Sequence, residues 1–449
     1  MKKICLCFQI HQPLRLRRYR FFDIAREHYY YDEFQNIEIF QRIADTCYLP
    51  ANRMLLDLLR TYPDFKVSFS ISGLAIEQME VHKPDLLDSF QELVATGRVE
   101  MLATPYAYSL SSLIDPEEFR EQIQEQQIKL RDRFGAAASE VLCNTELIYS
   151  DEIAHLARSF GFKGMITEGA KHVLGWKSPN YIYSSVVEPE LKLLLRNSGL
   201  TELITQEFSR YDSPEYPVTA DKMLNRIKWL PQEEEVVNLY MNYEVLGGLN
   251  RAESGIFDFF RALPALSGQY EVGFALPSEL IKSHKAVGSL EVSSPISSSG
   301  EAKSTNDWTG NVLQKGVLTK LADMGERVRL TKDNRLRQDW RYLQSADHLY
   351  YMNTGSSGRG FSPYNSAYDA FNNYMNVLSD FKLRLEKVAP QEFGTDEIST
   401  YEQMIDKQNE YIESLKKEIE ILKSQIPAKE APKEKKPRAA AKRTKSSAK

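Results

Sequence analysis

Along the first 280 residues, short apolar runs alternate with longer stretches in which apolar residues recur every three or four positions. The runs KICLCFQIH (3–11), KVSFSIS (66–72), RVEMLAT (98–104), EVLCNTE (140–146), GMITEG (164–169), EVVNLYMNYE (235–244) and YEVGFAL (270–276) read as strands. The first is so nearly continuous in apolar residues that it predicts burial on both faces. Between the strands, residues 50–61, 84–96, 116–134, 151–160 and 254–263 carry helical spacing. Pro116 falls in the first turn of its helix and Gly135 terminates it. This alternation predicts an α/β fold with a parallel sheet, and the number of units favours a barrel over an open sheet.

The pattern then changes. A Ser/Gly-rich stretch at 285–307 reads as a long loop or junction that closes a barrel domain over residues 1–284. Residues 308–330, 334–352 and 364–386 are helical in composition and predict a C-terminal helical domain over 308–390. Within 400–426, Tyr401, Ile405, Ile412, Leu415, Ile419, Leu422 and Ile426 follow a 3-4 spacing broken only by Gln408. That spacing suits equally a short coiled coil, through which the chain could form a homo-oligomer over 401–426, and a single amphipathic helix. Residues 427–449, rich in Ala, Lys and Pro, cannot build a core and predict a disordered basic tail.

Charge sharpens this division. The chain carries a net −5, the tail contributes +7, and the rest is therefore −12. An acidic body argues against nucleic acid as its ligand, and the tail lacks the interleaved aromatics of a nucleic-acid reader, so a solvated tail is the simpler expectation. No stretch approaches the ~18 apolar residues of a membrane helix. The opening MKKICLCFQIHQP is followed by RLRRYR rather than by a small-residue cleavage site, which argues for a cytoplasmic protein without membrane attachment. Cys5, Cys7, Cys47 and Cys143 show no CxxC spacing and read as buried thiols rather than disulfides or zinc ligands. No glycine-rich phosphate loop and no metal-ligand set is evident, so neither a cofactor nor a metal is expected.

Candidate chemistry gathers where the strands end, which is where a parallel α/β barrel presents its reactive groups. The first strand ends in His11 and Gln12, the third in Thr104, Tyr106 and Tyr108, the fourth in Asn144, Thr145 and Glu146, the next in Glu168, and the run 235–244 in Asn242 and Glu244. Asp347 and His348 precede Leu349, Tyr350 and Tyr351 far downstream. Each such residue alone is more often a structural hydrogen bonder than a catalyst. Their convergence carries the case, and aromatic faces beside carboxylates suit sugar rings.

These stretches resemble glycoside hydrolase family 57, and its α-amylase-type members in particular, over roughly residues 1–385. The resemblance rests on FQIHQP (8–13), GRVEMLATPYAYSL (97–110), CNTELIYS (143–150), ITEGAKHVLGWKSPNYIY (166–183), NLYMNYEVLGG (238–248), WTGN (308–311), LQSADHLYYM (343–352) and FSPYNSAYDAFNNYMNVLSDF (361–381). It implies an incomplete (β/α)7 TIM-like barrel followed by a helical domain. It also implies retaining hydrolysis or transfer on an α-glucan such as starch, glycogen or a maltooligosaccharide, without cofactor or metal. In that chemistry one carboxylate attacks the anomeric carbon while a second group protonates the leaving oxygen and then activates water. The nucleophile position falls on Glu146. His11, Gln12, Tyr106, Tyr108, Trp176, Asp347 and His348 fall at positions that would contact the glucan.

The acid/base position departs from the family pattern. The family carries Asp there, and this chain carries Asn242, which can hydrogen-bond but cannot transfer a proton at neutral pH. Tyr108 replaces a His, Thr104 an acidic residue, Leu249 follows Gly247 and Gly248 where Gly-Glu-His is common, and a Ser/Gly stretch at 296–304 replaces an acidic, Trp-containing loop. Loss of general acid–base help is worth roughly 10²–10⁴ in rate. Three readings stay open: a glucan-acting hydrolase with weak or lost activity, a non-catalytic α-glucan-binding protein, and a 4-α-glucanotransferase. Glu244, on the same strand face as Asn242, is the nearest surrogate acid, and Glu168 the next. A structural role for Glu244 is the stronger expectation.

Overall fold

β1 (Lys2–Ile10) runs through the centre of the fold and is buried on both faces from Ile4 to Ile10. Ile4, Leu6, Phe8 and Ile10 pack outward against a helical layer, while Cys5 and Cys7 face inward among other strand residues. That double burial is why the strand reads as one apolar run. In this computed structural model, residues 1–355 and 362–390 are described, with isolated helical positions between 408 and 419. The expected 400–426 helix, apart from those positions, and the 427–449 tail lie outside the described residues.

β1 is flanked by β2 (Val67–Ile71) and β8 (Val236–Asn242), both parallel to it, with Ile10 opposite Ile71 and Gln9 opposite Asn242. β3 (Val99–Met101) continues beyond β2. These strands form one arc. The other arc holds β4 (Val141–Cys143), β5 (Gly164–Glu168) and β7 (Lys192–Arg196), again parallel. The arcs meet at two thin seams. An isolated bridge, Ala103 to Leu142, joins β3 to β4, and a single register pair, Arg196 to Asn238, joins β7 to β8. The second seam is thin because β6 (Ile182–Ser185) lies antiparallel along the β7 edge at residues 192–194. β10 (Ser289–Leu290) extends β6. The architecture is an incomplete (β/α)7 barrel.

The expected seventh barrel strand is corrected by this topology. Residues 272–274 form β9 (Val272–Phe274), which among the described residues pairs with the start of β1 alone, from Lys2 to Ile4. The seventh ring member is instead β7, which the pattern analysis passed over. β6 and β7 are joined by a short turn rather than by a helix, so they carry no β-α alternation to detect.

Helices form where caps and apolar spacing agree. In Pro116–Phe134, Asp115 accepts the Glu118 amide at 3.1 Å, Pro116 occupies the first turn, and Gly135 closes the helix at φ 63°. Helices Leu49–Thr61, Pro84–Ala95, Ala220–Lys228 and Ile256–Ser267 cover the outer face of the β1 arc. C-terminal helices Val312–Leu330, Asn334–Leu343 and Ala367–Val388 cover the other arc, and Val317, Leu321, Trp340 and Phe381 share one core with Leu142, Met165 and Leu193. Residues Met1–Pro390 accordingly form one compact unit. The four cysteines are free and buried. No helix of the described residues is long and apolar enough to cross a membrane.

Candidate active site

Alternation along β8 puts Val236 and Tyr240 on the inward face and carries Asn242 to its rim. There a cleft of about 450 Å³ is lined by His11, Gln12, Arg15, Tyr108, Glu146, Asn242, Glu244, Trp308, Asp347, Tyr350 and Tyr351, among others. Both the barrel and the C-terminal helices contribute to it.

Glu146 follows β4 in a left-handed backbone conformation, φ 48° and ψ 31°. A non-glycine residue adopts this only where its surroundings compensate the cost. Here Tyr108 Oη donates to Oε1 at 2.9 Å, Ser298 Oγ donates to Oε2 at 2.9 Å, and the Ser298 amide donates to the Glu146 carbonyl at 2.8 Å. The Glu146 amide donates to Tyr108 Oη at 3.2 Å. Burial pushes the Glu146 carboxyl above its usual range, and the Ser298 and Tyr108 hydroxyls pull it partly back. The stretch 296–304 is thus more than a junction. Ile296 pairs with Tyr149, Ser297 Oγ donates to the Ser304 carbonyl at 2.6 Å, and Lys303 reaches Glu202 at 3.2 Å.

His11 stacks on Tyr108 with ring centres 4.5 Å apart. Its Nε2 meets Asp347 Oδ2 at 3.0 Å and its Nδ1 meets Ser72 Oγ at 2.8 Å. Nε2 is thus placed to donate to the carboxylate, while Nδ1 lies against Ser72 Oγ, which also caps the helix Gly73–His82 by accepting from the Ala75 amide. Burial pushes the Asp347 carboxyl up, but His11 and the Ser345 hydroxyl pull it further down, to about 2. Asp347 is therefore ionised near neutral pH and cannot donate a proton there.

Asn242 is exposed at the cleft, and its side chain makes no hydrogen bond among the described residues. Glu244 does not share its strand face, as the sequence suggested, because β8 ends at Asn242 and Tyr243–Val245 form a single helical turn. That turn swings Glu244 onto Gln12 Nε2, at 3.0 Å, and the Tyr48 hydroxyl, both of which donate to Oε1. Burial raises its carboxyl, against those donors. The glycine pair that follows has a steric reason. Gly247 has φ 96°, and a Cβ there would lie 2.3 Å from the Thr46 carbonyl oxygen. Glu168 is buried in an ion pair with Arg196 at 2.9 Å and does not line the cleft.

Three expected contact residues stand elsewhere. Tyr106 is buried against Leu74 and Ala107 and donates to Glu77. Trp176 is 93% exposed, beyond the short helix Lys171–Leu174. His348 is buried, 5.3 Å from the Tyr374 ring centre, with Nε2 3.3 Å from the Tyr342 carbonyl oxygen. Helix Ala346–Tyr350 explains the last case. Residues 347, 350 and 351 share one face, and 348 turns to the core. That spacing could have singled out Tyr350 and Tyr351 from the sequence. Tyr48, Ser298 and Arg15 gave no such signal, because they reach the site from a helical segment and two loops.

The model of the family "Glycosyl hydrolase family 57" matches residues 5–293. A Methanocaldococcus jannaschii protein described as "Putative alpha-amylase" is 36% identical over 86% of this chain and 85% of its own. Among solved structures, the 4-alpha-glucanotransferase from Thermococcus litoralis superposes with a TM-score of 0.62 at 15% identity, covering 84% of this chain and 60% of that one. A GH57 branching enzyme from Thermococcus kodakaraensis superposes with a TM-score of 0.61 at 13% identity, covering 90% and 94%. At these identities the structural likenesses speak for the fold alone.

Proposed function

Because the chain belongs to glycosyl hydrolase family 57, we propose that its cleft binds an α-glucan, that Glu146 holds the position of a retaining nucleophile, and that hydrolysis of unactivated glucan is weak or lost. The observation that carries this reading is Asn242 at the rim of β8, where the proton donor is expected. An amide there can hold a sugar hydroxyl but cannot protonate a leaving oxygen.

The other carboxylates of the cleft support it. Asp347 is held ionised by His11 and Ser345. Glu244 spends Oε1 on Tyr48 and Gln12. A general acid must be protonated and within hydrogen-bond reach of the leaving oxygen. Of the two, only Glu244 has its carboxyl raised in the direction an acid needs, and it faces its clamp. Tyr350, Tyr351 and Trp308 line the same cleft, and Tyr350, the least buried of the three, is the ring best placed to meet a pyranose.

The test is turnover of amylose and of α-glucosyl fluoride, whose leaving group needs no proton, by the wild type, Asn242→Asp and Glu146→Ala. Wild type should turn over the fluoride but scarcely amylose. Asn242→Asp should raise amylose cleavage by roughly 10²–10⁴, and Glu146→Ala should abolish both. Rapid amylose cleavage by wild type that Glu146→Ala removes would mean that Glu244 or another group supplies the proton. Glucan binding without turnover in any variant would leave a glucan-binding protein on this scaffold.

A further inference from the structure

We propose that the glucosyl donor this cleft takes is an α-glucosyl phosphate, with Arg15 holding the phosphate as leaving group and Asn242 marking a reaction that needs no separate proton donor. This rests on the reading of Glu146 as nucleophile and adds a substrate class to it.

Arg15 has an unusual placement. Its main chain is locked: its amide donates to Asn36 Oδ1 at 2.8 Å, and its carbonyl accepts from Asn36 Nδ2 at 3.1 Å and from the Asp32 amide at 2.9 Å. Its side chain, by contrast, lines the cleft, and among the described residues the guanidinium makes a single long contact, Nη1 to the Pro13 carbonyl at 3.4 Å. Among the described residues no carboxylate lies within 4 Å of it. The cleft carboxylates are already supplied with donors: Glu146 by Tyr108 and Ser298, Asp347 by His11 and Ser345, Glu244 by Tyr48 and Gln12. A guanidinium carried on a fixed backbone at the cleft wall, without a carboxylate partner among the described residues, suits a bidentate oxyanion.

The chemistry fits the missing acid. A glucosyl phosphate monoanion releases hydrogen phosphate, an anion that carries its own proton, whereas a sugar hydroxyl is a far weaker acid and must be protonated as it departs. In the first step a Glu146 carboxylate oxygen attacks the anomeric carbon, the bond from that carbon to the phosphate oxygen breaks with its electron pair, and phosphate stays on Arg15. In the second step an acceptor hydroxyl attacks the same carbon and the bond to Glu146 breaks. The hydroxyl proton passes to the hydrogen phosphate dianion, which leaves as dihydrogen phosphate; these two ions interconvert near neutral pH. Each bond formed replaces one broken, no group is oxidised or reduced, and Asn242 neither gives nor takes a proton. Its amide is left to hold a sugar hydroxyl.

The experiment measures phosphate release from α-D-glucose 1-phosphate with maltotetraose as acceptor, beside fluoride release from α-D-glucosyl fluoride with the same acceptor. The full chain is compared with Arg15→Ala and Arg15→Lys. The expected result is turnover of both donors by wild type, a loss of phosphate release in Arg15→Ala at least tenfold larger than any loss of fluoride release, and partial recovery in Arg15→Lys. Turnover of the fluoride but not of the phosphate overturns the proposal and leaves the reading of Glu146 standing. Equal losses of both in Arg15→Ala also overturn it, because Arg15 then serves the fold. Turnover of neither donor removes Glu146 as nucleophile, and this proposal with it.

Discussion

At the scale of single residues, this site shows how position and chemistry separate. The sequence put Glu146 and Asn242 at or just beyond the ends of strand-like runs, and both line one cleft. Their surroundings were not legible there. His348 and Asp347 are neighbours in sequence, yet burial drives the imidazole of His348 down to about 4 while Asp347 is drawn down to about 2. The consequence for stability has a definite sign. Between pH 6.5 and 4 the unfolded chain binds a proton at residue 348 that the folded chain refuses. Stability therefore falls as pH drops through that window, by on the order of 3 kcal/mol for a buried group shifted this far, and levels off below it. The Asp347 contribution is present above the ordinary aspartate range and is lost lower, as pH falls towards 2. Chemical denaturation of wild type and His348→Gln between pH 7 and 4 checks this. The variant should lose most of the slope, and an unchanged slope would place the titrating group elsewhere.

At the scale of elements, the stretch 296–304 was the least readable part of the site. Its Ser/Gly composition says loop, and only the fold reveals that the loop reaches back to clamp both the backbone and the side chain of Glu146. Removing the Ser298 hydroxyl removes one of the donors that hold the Glu146 carboxyl down against burial. A nucleophile must be ionised, so its activity is lost as pH falls through its pKa. In Ser298→Ala the acid limb of the α-glucosyl fluoride rate profile should move to higher pH, with a lower plateau. A lower plateau with an unmoved limb would mean that Ser298 serves only to place the loop. The β6–β7 pair was illegible for a different reason. Two short strands joined by a turn share no period with a β-α repeat, and LKLLLR alone fits a helix segment as readily as a strand.

At the scale of the whole molecule, the alternation of strands and helices announced the barrel, but not how far the C-terminal helices belong to it. Trp340, Phe381 and Val317 share a core with Leu142, Met165 and Leu193, and Asp347 and Tyr350 complete the cleft. A chain ended at residue 307 should expose that core and aggregate, which circular dichroism and light scattering would show; a soluble, cooperatively melting 1–307 fragment would refute the shared core. The two seams carry a consequence of another kind. Glu146 rides on the β4-β5-β7 arc, while His11 and Asn242 ride on the β8-β1-β2-β3 arc, and among the described residues the strand pairing between the arcs is one isolated bridge and one register pair, supplemented by the side chains of Arg196, Asn238 and Tyr108. The line of least stiffness thus passes between the groups that must close on a sugar ring. Amides that cross it, those of Ala103, Cys143 and Asn197, should exchange with deuterium sooner than those inside β1. A ligand that bridges the arcs should slow them together, so that the breathing of the barrel reports the filling of its cleft.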